Sequence, residues 1–278
     1  MSEPSRPTPP PRRTLLGIGA SIVAVAALAA LAGPALTPFD PAGQQLALRL
    51  DGPSWTHLFG LDELGRDILA RVLAGARISF LVGLTVVSVS AVAGTLLGAI
   101  AGYFGGVMDD LISRVVDVLL AFPGLLLAIA LVAVLGPSLA NVLFALTIIG
   151  WVGYARIVRG QVLRARQFEY VQAARALGAG AGRVLWRHVI PTAMPAVVVQ
   201  ATLGMAGAII SEAALSFLGL GVQPPTPSWG TMLSGGRAHL LDAPHLTLVP
   251  GLAIALLVLG FNFVGDGLRD FADPKLRQ

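Results

Sequence analysis

Five long stretches of the chain carry no charged side chain, and this pattern predicts the architecture. They are residues 14–39, 78–108, 118–155, 189–211 and 243–265. A run of about 18 or more apolar residues indicates a membrane-spanning helix, since the hydrocarbon core of a bilayer is about 30 Å thick. Each span should be helical, because lipid offers no hydrogen-bond partner to an unpaired backbone group.

One of these runs is too long for a single span. Gly136, Pro137 and Ser138 divide residues 118–155 into two parts, because a proline disfavours helix at the residue before it. The predicted fold class is therefore an all-α membrane protein with six transmembrane helices. The predicted spans lie near residues 14–36, 78–102, 113–135, 139–159, 190–211 and 246–266.

The composition excludes an ordinary soluble domain and several kinds of chemistry. Hydrophobic residues make up 55% of the 278 positions and charged residues 12%, against about 25% charged residues in a typical globular protein. Cysteine is absent and the four histidines form no HExxH motif, so we predict no metal site. The one lysine is Lys275, so the chain lacks a Walker A lysine and would need a partner for ATP-driven work.

The distribution of basic residues predicts the orientation in the membrane. Basic residues concentrate in the cytoplasmic loops of membrane proteins. With the N-terminus inside, the outer segments hold few of the 19 basic residues, namely Arg49, Arg66, Arg71, Arg77 and Arg237. Both termini are therefore predicted to be cytoplasmic, and the net positive charge is explained without nucleic acid. The predicted segments outside the spans are cytoplasmic tails at 1–13 and 267–278, an extracytoplasmic loop at 37–76 and a cytoplasmic loop at 160–189.

The first span has an alternative interpretation as a secretory signal. Arg12 and Arg13 precede an apolar run, and small residues around Ala30 resemble a cleavage site. The run is longer than the apolar region of a usual signal peptide, which favours a retained span. Residues 1–13 are rich in proline and serine, and a disordered tail is predicted for them.

A stripe of glycines marks the second span. Gly94, Gly98, Gly102 and Gly106 recur at every fourth position, and Ser90 extends the stripe. Small residues at this spacing allow another helix to approach closely in a membrane. We predict that this face packs inside a helix bundle and binds no ligand.

The predicted spans contain almost no ionisable side chain. Asn141, Gln200 and Asn262 are the polar interruptions in the last three spans, and Glu212 and Asp266 lie at span ends. Proton- or ion-coupled carriers usually need charged groups within the bilayer. The pattern therefore disfavours a secondary carrier, shows no charged ring of a channel, and lacks the polar cluster that a membrane-embedded enzyme would need.

The cytoplasmic loop is the most distinctive polar segment. Phe168, Val171, Ala174 and Leu177 recur at helical spacing, and Gly178 is placed to end the helix. From the residues alone, the helix could lie on lipid headgroups or dock into a cytosolic partner.

This loop resembles the EAA loop of ABC-importer permeases. The matching positions are Gln172, Ala173, Ala174, Gly178, Ile190 and Pro191. Gln172 replaces the usual glutamate of the motif, and Glu169, one turn earlier, carries a carboxylate nearby.

Further segments are similar to the second permease of dipeptide, oligopeptide and nickel importers. The segments are residues 57–67, 101–110, 121–123, 212–230 and 265–270. In the first of these segments, Leu61 stands where a threonine is usual. They occur in the family's order, and the resemblance extends over residues 55–277.

The resemblance implies a type I ABC importer permease with a cytoplasmic coupling helix, in a prokaryotic inner membrane. It implies a paired homologous permease, two cytosolic ABC ATPase subunits and an extracytoplasmic substrate-binding protein as partners. ATP and magnesium would be bound by the ATPases, and this chain would be neither an enzyme nor a cofactor protein. The implied cargo is short peptides, with nickel or another small solute as the alternative.

The resemblance also assigns residues to two regions. The implied ATPase-coupling residues are Glu169, Gln172, Ala173, Ala174, Leu177, Gly178, Ile190 and Pro191. A second region is implied either to shape the outer mouth of the pathway or to meet the binding protein, and its residues are Gln223, Pro224, Pro225 and Trp229. A simple rigid turn is the alternative for this second region, because prolines stiffen the backbone.

Overall fold

The computed structural model describes residues 12–272, and regular structure in that part of the chain is helical. Residues 1–11 of the predicted N-terminal tail and residues 273–278 of the predicted C-terminal tail lie outside it. The α-helices are α1 (Arg12–Leu36), α2 (Ile68–Phe104), α3 (Gly106–Leu120), α4 (Gly124–Leu135), α5 (Leu139–Ala165), α6 (Glu169–Ala176), α7 (Ala181–Val184), α8 (Ile190–Phe217), α9 (Trp229–Gly236) and α10 (His245–Ala272). A π-helical turn at Leu185–Val189 joins α7 to α8, and short 3-10 turns form at Leu46–Leu48 and Arg237–His239.

Within residues 12–272, five helical segments are long and apolar enough to cross a bilayer. They are α1, α2, α5, the segment that ends with α8, and α10. The predicted span at residues 113–135 is not one helix, because α3 and α4 meet there at an angle of 85°. Pro123 directly precedes α4 with ψ at 120°. A proline cannot donate the backbone hydrogen bond that a continuous helix requires, so it breaks the span here just as Pro137 does later.

The close packing of α2 on α5 fixes their directions. Near Gly94, the closest atoms of α5 belong to Trp151 and Tyr154, whereas Gly102 lies against Arg159 and Val162. The contacts advance together along both helices, so α2 and α5 run parallel. The chain between them must therefore return across the bundle, and the bent pair α3–α4 makes that crossing. With this pair counted as one span, the described chain crosses the bundle six times.

Two boundaries differ from the pattern-based prediction. Gly106 does not extend the glycine stripe, because α2 ends at Phe104 and a side chain at Gly106 would meet nothing within 4 Å. At its other end, α2 begins ten residues before the predicted span. Asp67 caps this end by accepting a hydrogen bond from the amide of Ala70 at 2.8 Å. The predicted outer loop therefore ends at residue 67.

Charged residues near the start of α2 concealed its true length. Arg77 lies within the helix, and its Nε donates to the carbonyl of Ala30 at 2.5 Å while Nη2 donates to Leu31 at 2.9 Å. The carbonyl of Ala30 lacks its usual helical donor, because Pro34, four residues later, has no backbone N–H. The guanidinium therefore satisfies groups of a neighbouring helix and does not mark the end of a span.

The first and last helices place their termini at one end of the bundle. A side chain at Gly19 would touch Gly260 and Phe263, and one at Gly267 would touch Leu16. The start of α1 therefore lies beside the end of α10. Arg269 of α10 also lines a cavity with Arg164, close to α6. We call the end of the bundle that contains residues 166–189 the loop end. The opposite end, which contains residues 37–67 and 218–244, is the cap end.

Replacing Gly98 with leucine is expected to destabilise the protein. A side chain at this position would collide with the backbone of Ala155, whose Cα lies 2.9 Å from the position of the added carbon. Overpacking of this kind costs about 1–3 kcal/mol. Thermal unfolding of the detergent-solubilised protein should show a lower Tm for Gly98→Leu. Gly17→Leu is the control, because nothing lies within 4 Å of that site on α1; equal Tm values for both variants would contradict the packing described.

Candidate coupling site and central cavity

The short helix α6 has well-defined ends. Glu169 lies in its first turn and Arg175 in its last, which places each charge favourably in the field of the helix dipole. Beyond the helix, Gly178 adopts φ of +83°, and its amide donates to the carbonyl of Arg175 at 2.9 Å. Glycine adopts this left-handed conformation without steric strain. The loop motif thus forms a helix followed by an abrupt change of chain direction.

The inner face of α6 is packed against the bundle. Val171 is fully buried and Ala174 is partly buried, and both belong to a cluster that includes Val158 of α5 and Val189 before α8. The sequence predicts that Leu177 also belongs to the apolar face of this helix, but its side chain is exposed. Here α6 is attached to the transmembrane helices and does not lie free on their surface.

Two arginines attach this loop to the end of α2. The guanidinium of Arg175 lies 4.8 Å from the centre of the buried Tyr103 ring, and that of Arg166 lies 6.0 Å from it. Such cation–π contacts are attractive up to about 6 Å. Arg166 also donates to the carbonyl of Gly102 at 3.0 Å. The loop is therefore attached to α2 by contacts at Tyr103, and Val171 shares a buried cluster with residues of α5 and α8.

The loop at residues 166–189, which we call the coupling loop after its predicted role, exposes apolar side chains. The exposed fractions are 88% for Leu177, 60% for Trp186, 47% for Tyr170 and 40% for Phe168. The rings of Phe168 and Tyr170 lie 5.7 Å apart, so these two side chains form one apolar surface that is available for contact with another molecule. Of the residues predicted from the motif, Glu169, Gln172, Ala173, Gly178 and Pro191 are also exposed, while Ile190 is buried.

A cavity of about 230 Å³ lies between α2, α4, α5 and α8. Its polar groups are Ser90, Tyr154, Gln200 and Ser211. A second cavity, of about 560 Å³, lies at the loop end between α5, α8 and α10. Gln200 lines both, so the two spaces adjoin at that residue.

The segment at residues 57–67 folds into a buried ionic cluster at the cap end. Asp62 accepts hydrogen bonds from the Nε of Arg66 at 2.7 Å and from the amide of Leu64 at 2.9 Å. Arg71 of α2 lies 3.3 Å from the same carboxylate. Asp67 caps α2 and also contacts Nδ1 of His57 at 2.8 Å. These charges hold the outer loop on the bundle, a role that the spacing of the motif did not reveal.

The predicted outer mouth is divided by the structure. Gln223, Pro224 and Pro225 are exposed at the cap end. Trp229 is 3% exposed, and its indole N–H donates to the carbonyl of Val72 at 2.9 Å. It therefore anchors α9 to α2 and is not available to a partner at the surface. The interior of the bundle buries its large apolar ring and also supplies a hydrogen-bond acceptor for its single N–H.

Glu212 is a buried carboxylic residue that the sequence pattern placed at a span end. Its side chain is fully buried in α8, and Oε1 accepts from the hydroxyl of Ser216 at 2.6 Å. The helix continues beyond it to Phe217. Its spacing of four residues from Ser216, which places both on one helix face, was the available signal for this contact.

Comparison with known proteins identifies the family. Residues 94–278 match the family described as "Binding-protein-dependent transport system inner membrane component". The chain belongs to this family, and it is accordingly a membrane subunit of a transport system rather than a catalytic subunit.

Three relatives illustrate the similarity. The dipeptide transport system permease protein DppC of Alkalihalophilus pseudofirmus is 48% identical over 94% of this chain and 86% of the relative. DppC of Haemophilus influenzae is 42% identical over 94% of this chain and 90% of the relative. The glutathione transport system permease protein GsiD of Escherichia coli O157:H7 is 52% identical over 82% of this chain and 75% of the relative.

Removing the charge at the centre of the cap-end cluster is expected to destabilise the protein. In Asp62→Asn, the guanidinium groups of Arg66 and Arg71 lose their shared carboxylate, and breaking a buried ion pair costs on the order of 3 kcal/mol. Thermal unfolding in detergent should detect the loss as a lower Tm. Asp51→Asn, at an exposed position of the same loop, should leave the Tm close to the wild-type value, and similar changes in both variants would argue against the cluster.

Proposed function

We propose that this chain is the permease subunit of an ATP-driven importer of short peptides. The observation that carries the proposal is its 48% identity, over 94% of its length, to a permease named for dipeptide transport. Other relatives of similar identity are named for glutathione, which is a tripeptide. Both cargoes are short peptides, and this favours peptides over nickel or another small solute.

The coupling loop would connect this subunit to an ATPase. Its outer face exposes Leu177, Trp186 and Tyr170, and its inner face is attached to α2, α5 and α8 through Val171 and Arg175. A cytosolic ATPase that binds this surface more tightly in one nucleotide state would favour one arrangement of the helices. The nucleotide and magnesium belong to that partner, because the chain has no Walker A lysine.

The remaining partners follow from the same proposal. A homologous permease would complete the pathway beside the central cavity. An extracytoplasmic binding protein would deliver the peptide at the cap end, near the exposed Gln223, Pro224 and Pro225. Both termini and the coupling loop would then lie in the cytoplasm of a prokaryotic cell.

The orientation can be tested with single cysteines, since the natural chain has none. Leu177 is 88% exposed at the loop end and Leu241 is 100% exposed at the cap end. In intact spheroplasts, a membrane-impermeant maleimide should label Leu241→Cys but not Leu177→Cys. Labelling of Leu177→Cys should require opened membranes, and the reverse pattern would refute a cytoplasmic coupling loop.

A charge at Leu177 is expected to uncouple transport. Leu177→Asp places a carboxylate on the proposed apolar contact, and burying an unpaired charge in an interface is strongly unfavourable. The variant should remain in the membrane with its paired permease but lose its ATPase on co-purification. Leu177→Met keeps a side chain of similar size and should retain both the ATPase and uptake. Full uptake by Leu177→Asp would exclude this residue from the coupling surface.

The cargo is tested by reconstituting the chain with the permease, ATPases and binding protein encoded beside it. Proteoliposomes should take up a labelled dipeptide only with ATP present, and unlabelled peptides should compete. Uptake of nickel instead, or transport by this chain alone, would overturn the peptide-importer proposal in favour of the nickel importer or the carrier, respectively.

A further inference from the structure

The central cavity has an uncharged lining that is mostly apolar and carries four polar side chains. Of its 14 lining residues, none is Asp, Glu, Lys, Arg or His. Hydrogen-bonding groups come from Ser90, Tyr154, Gln200 and Ser211. Neutral hydroxyl and amide groups of this kind bind uncharged donors and acceptors, whereas a transition-metal ion prefers imidazole, thiolate or carboxylate ligands.

Glycines create the space within the cavity. A side chain at Gly150 would collide with the hydroxyl of Ser90, and one at Gly204 would come within 2.7 Å of the hydroxyl of Tyr154. The helices therefore approach closely at the back of the cavity. At Gly207, in contrast, nothing lies within 4 Å of an added carbon, so this glycine borders the open part.

The hydrogen-bonding groups differ in their freedom to bind a ligand. The hydroxyl of Tyr154 donates to the backbone carbonyl of Gln200 at 3.4 Å, and that of Ser90 donates to the carbonyl of Thr147 at 3.5 Å. The side chains of Gln200 and Ser211 have no hydrogen-bond partner among residues 12–272. The free amide of Gln200 offers both an N–H donor and a carbonyl acceptor, the complement of a peptide group.

Gln200 also lies where two cavities adjoin. It lines the central cavity and the larger one at the loop end. The loop-end cavity contains Arg164 and Arg269, and neither arginine has an acidic partner within 4 Å in the described part of the chain. A molecule passing from the neutral cavity to the loop end would therefore pass Gln200 and then meet two positive charges.

We infer that the central cavity is this chain's half of the peptide passage, and that Gln200 binds the main chain of the moving peptide. This inference rests on the proposed function and assigns its pathway. Main-chain recognition by a neutral amide accepts peptides of any sequence. Once past Gln200, the terminal carboxylate of the peptide is attracted by Arg164 and Arg269. The cavity opens beside the exposed residues Gly124, Leu125 and Gly207, where the paired permease would complete its wall.

The first test narrows the passage without disturbing the bundle. Uptake of labelled dialanine and trialanine is measured in proteoliposomes that contain the complete transporter. Gly207→Ala should leave uptake of both peptides close to the wild-type rate, because its methyl group enters open space. Gly207→Trp should abolish uptake of both peptides. Gly17→Ala and Gly17→Trp are the controls, because that glycine on α1 has equally open surroundings.

The second test examines hydrogen bonding at Gln200. Gln200→Leu preserves the size of the side chain but removes both hydrogen-bonding groups, and KM for dialanine should rise about tenfold, the equivalent of one or two neutral hydrogen bonds. Gln200→Asn keeps the amide and should recover part of the affinity. A merely structural role would lower the Tm of the assembled transporter in Gln200→Leu and leave KM unchanged.

The outcomes separate this inference from the proposed function. If the wild-type transporter takes up neither peptide, the peptide-importer proposal itself is wrong. If the wild type transports both peptides, and Gly207→Trp and Gln200→Leu match the Gly17 controls in rate and KM, the passage does not run through this cavity. Loss of uptake in Gly207→Trp but not in Gly207→Ala, together with the higher KM of Gln200→Leu, establishes the assignment.

Discussion

The parallel packing of α2 on α5 is the constraint on which the rest of the structure depends. Gly94, Gly98 and Gly102 bring the two backbones into contact, and only side chains as small as hydrogen allow this approach. Because these helices run in the same direction, the chain between them must cross the bundle again, which it does through the bent pair α3–α4. The central cavity lies beside this contact, and the coupling loop is attached to the end of α2 at Tyr103.

The few charges of the chain are used at the two ends of the bundle. At the cap end, Asp62, Arg66 and Arg71 form a buried cluster that holds the outer loop in place. At the loop end, arginines bind an aromatic ring or a backbone carbonyl and leave apolar side chains on the outer surface. Between these ends the central cavity is lined by residues without ionisable acidic or basic side chains. This separation of charged ends from a neutral middle is consistent with a transport pathway.

The mechanical connection from the loop to the cavity is short. Val171 belongs to the cluster that includes Val158 of α5 and Ile190 at the start of α8. Gln200 lies in α8, ten residues after Ile190. Since packed interiors are nearly incompressible, a displacement of α6 should move α5 and α8 together, and both helices line the two cavities that adjoin at Gln200. The residues that anchor the proposed coupling loop therefore belong to helices that line the two cavities.

The sequence by itself determined the all-α membrane fold, most of the spans, the glycine contact at Gly94 to Gly102 and the short helix that ends before Gly178, because apolar runs, small-residue spacing and a glycine-terminated helix are local signals. The sequence could not determine which charged residues lie inside a helix. The predicted second span therefore starts at residue 78, ten residues after the true start of α2 at Ile68. Nor could the sequence reveal that Trp229 is buried, that Leu177 faces outward, or that Gln200 joins two cavities. Tertiary structure decided these points, because the burial of a side chain and its hydrogen-bond partners depend on residues distant in the chain. The hydrogen bond from Trp229 to the carbonyl of Val72 is an example.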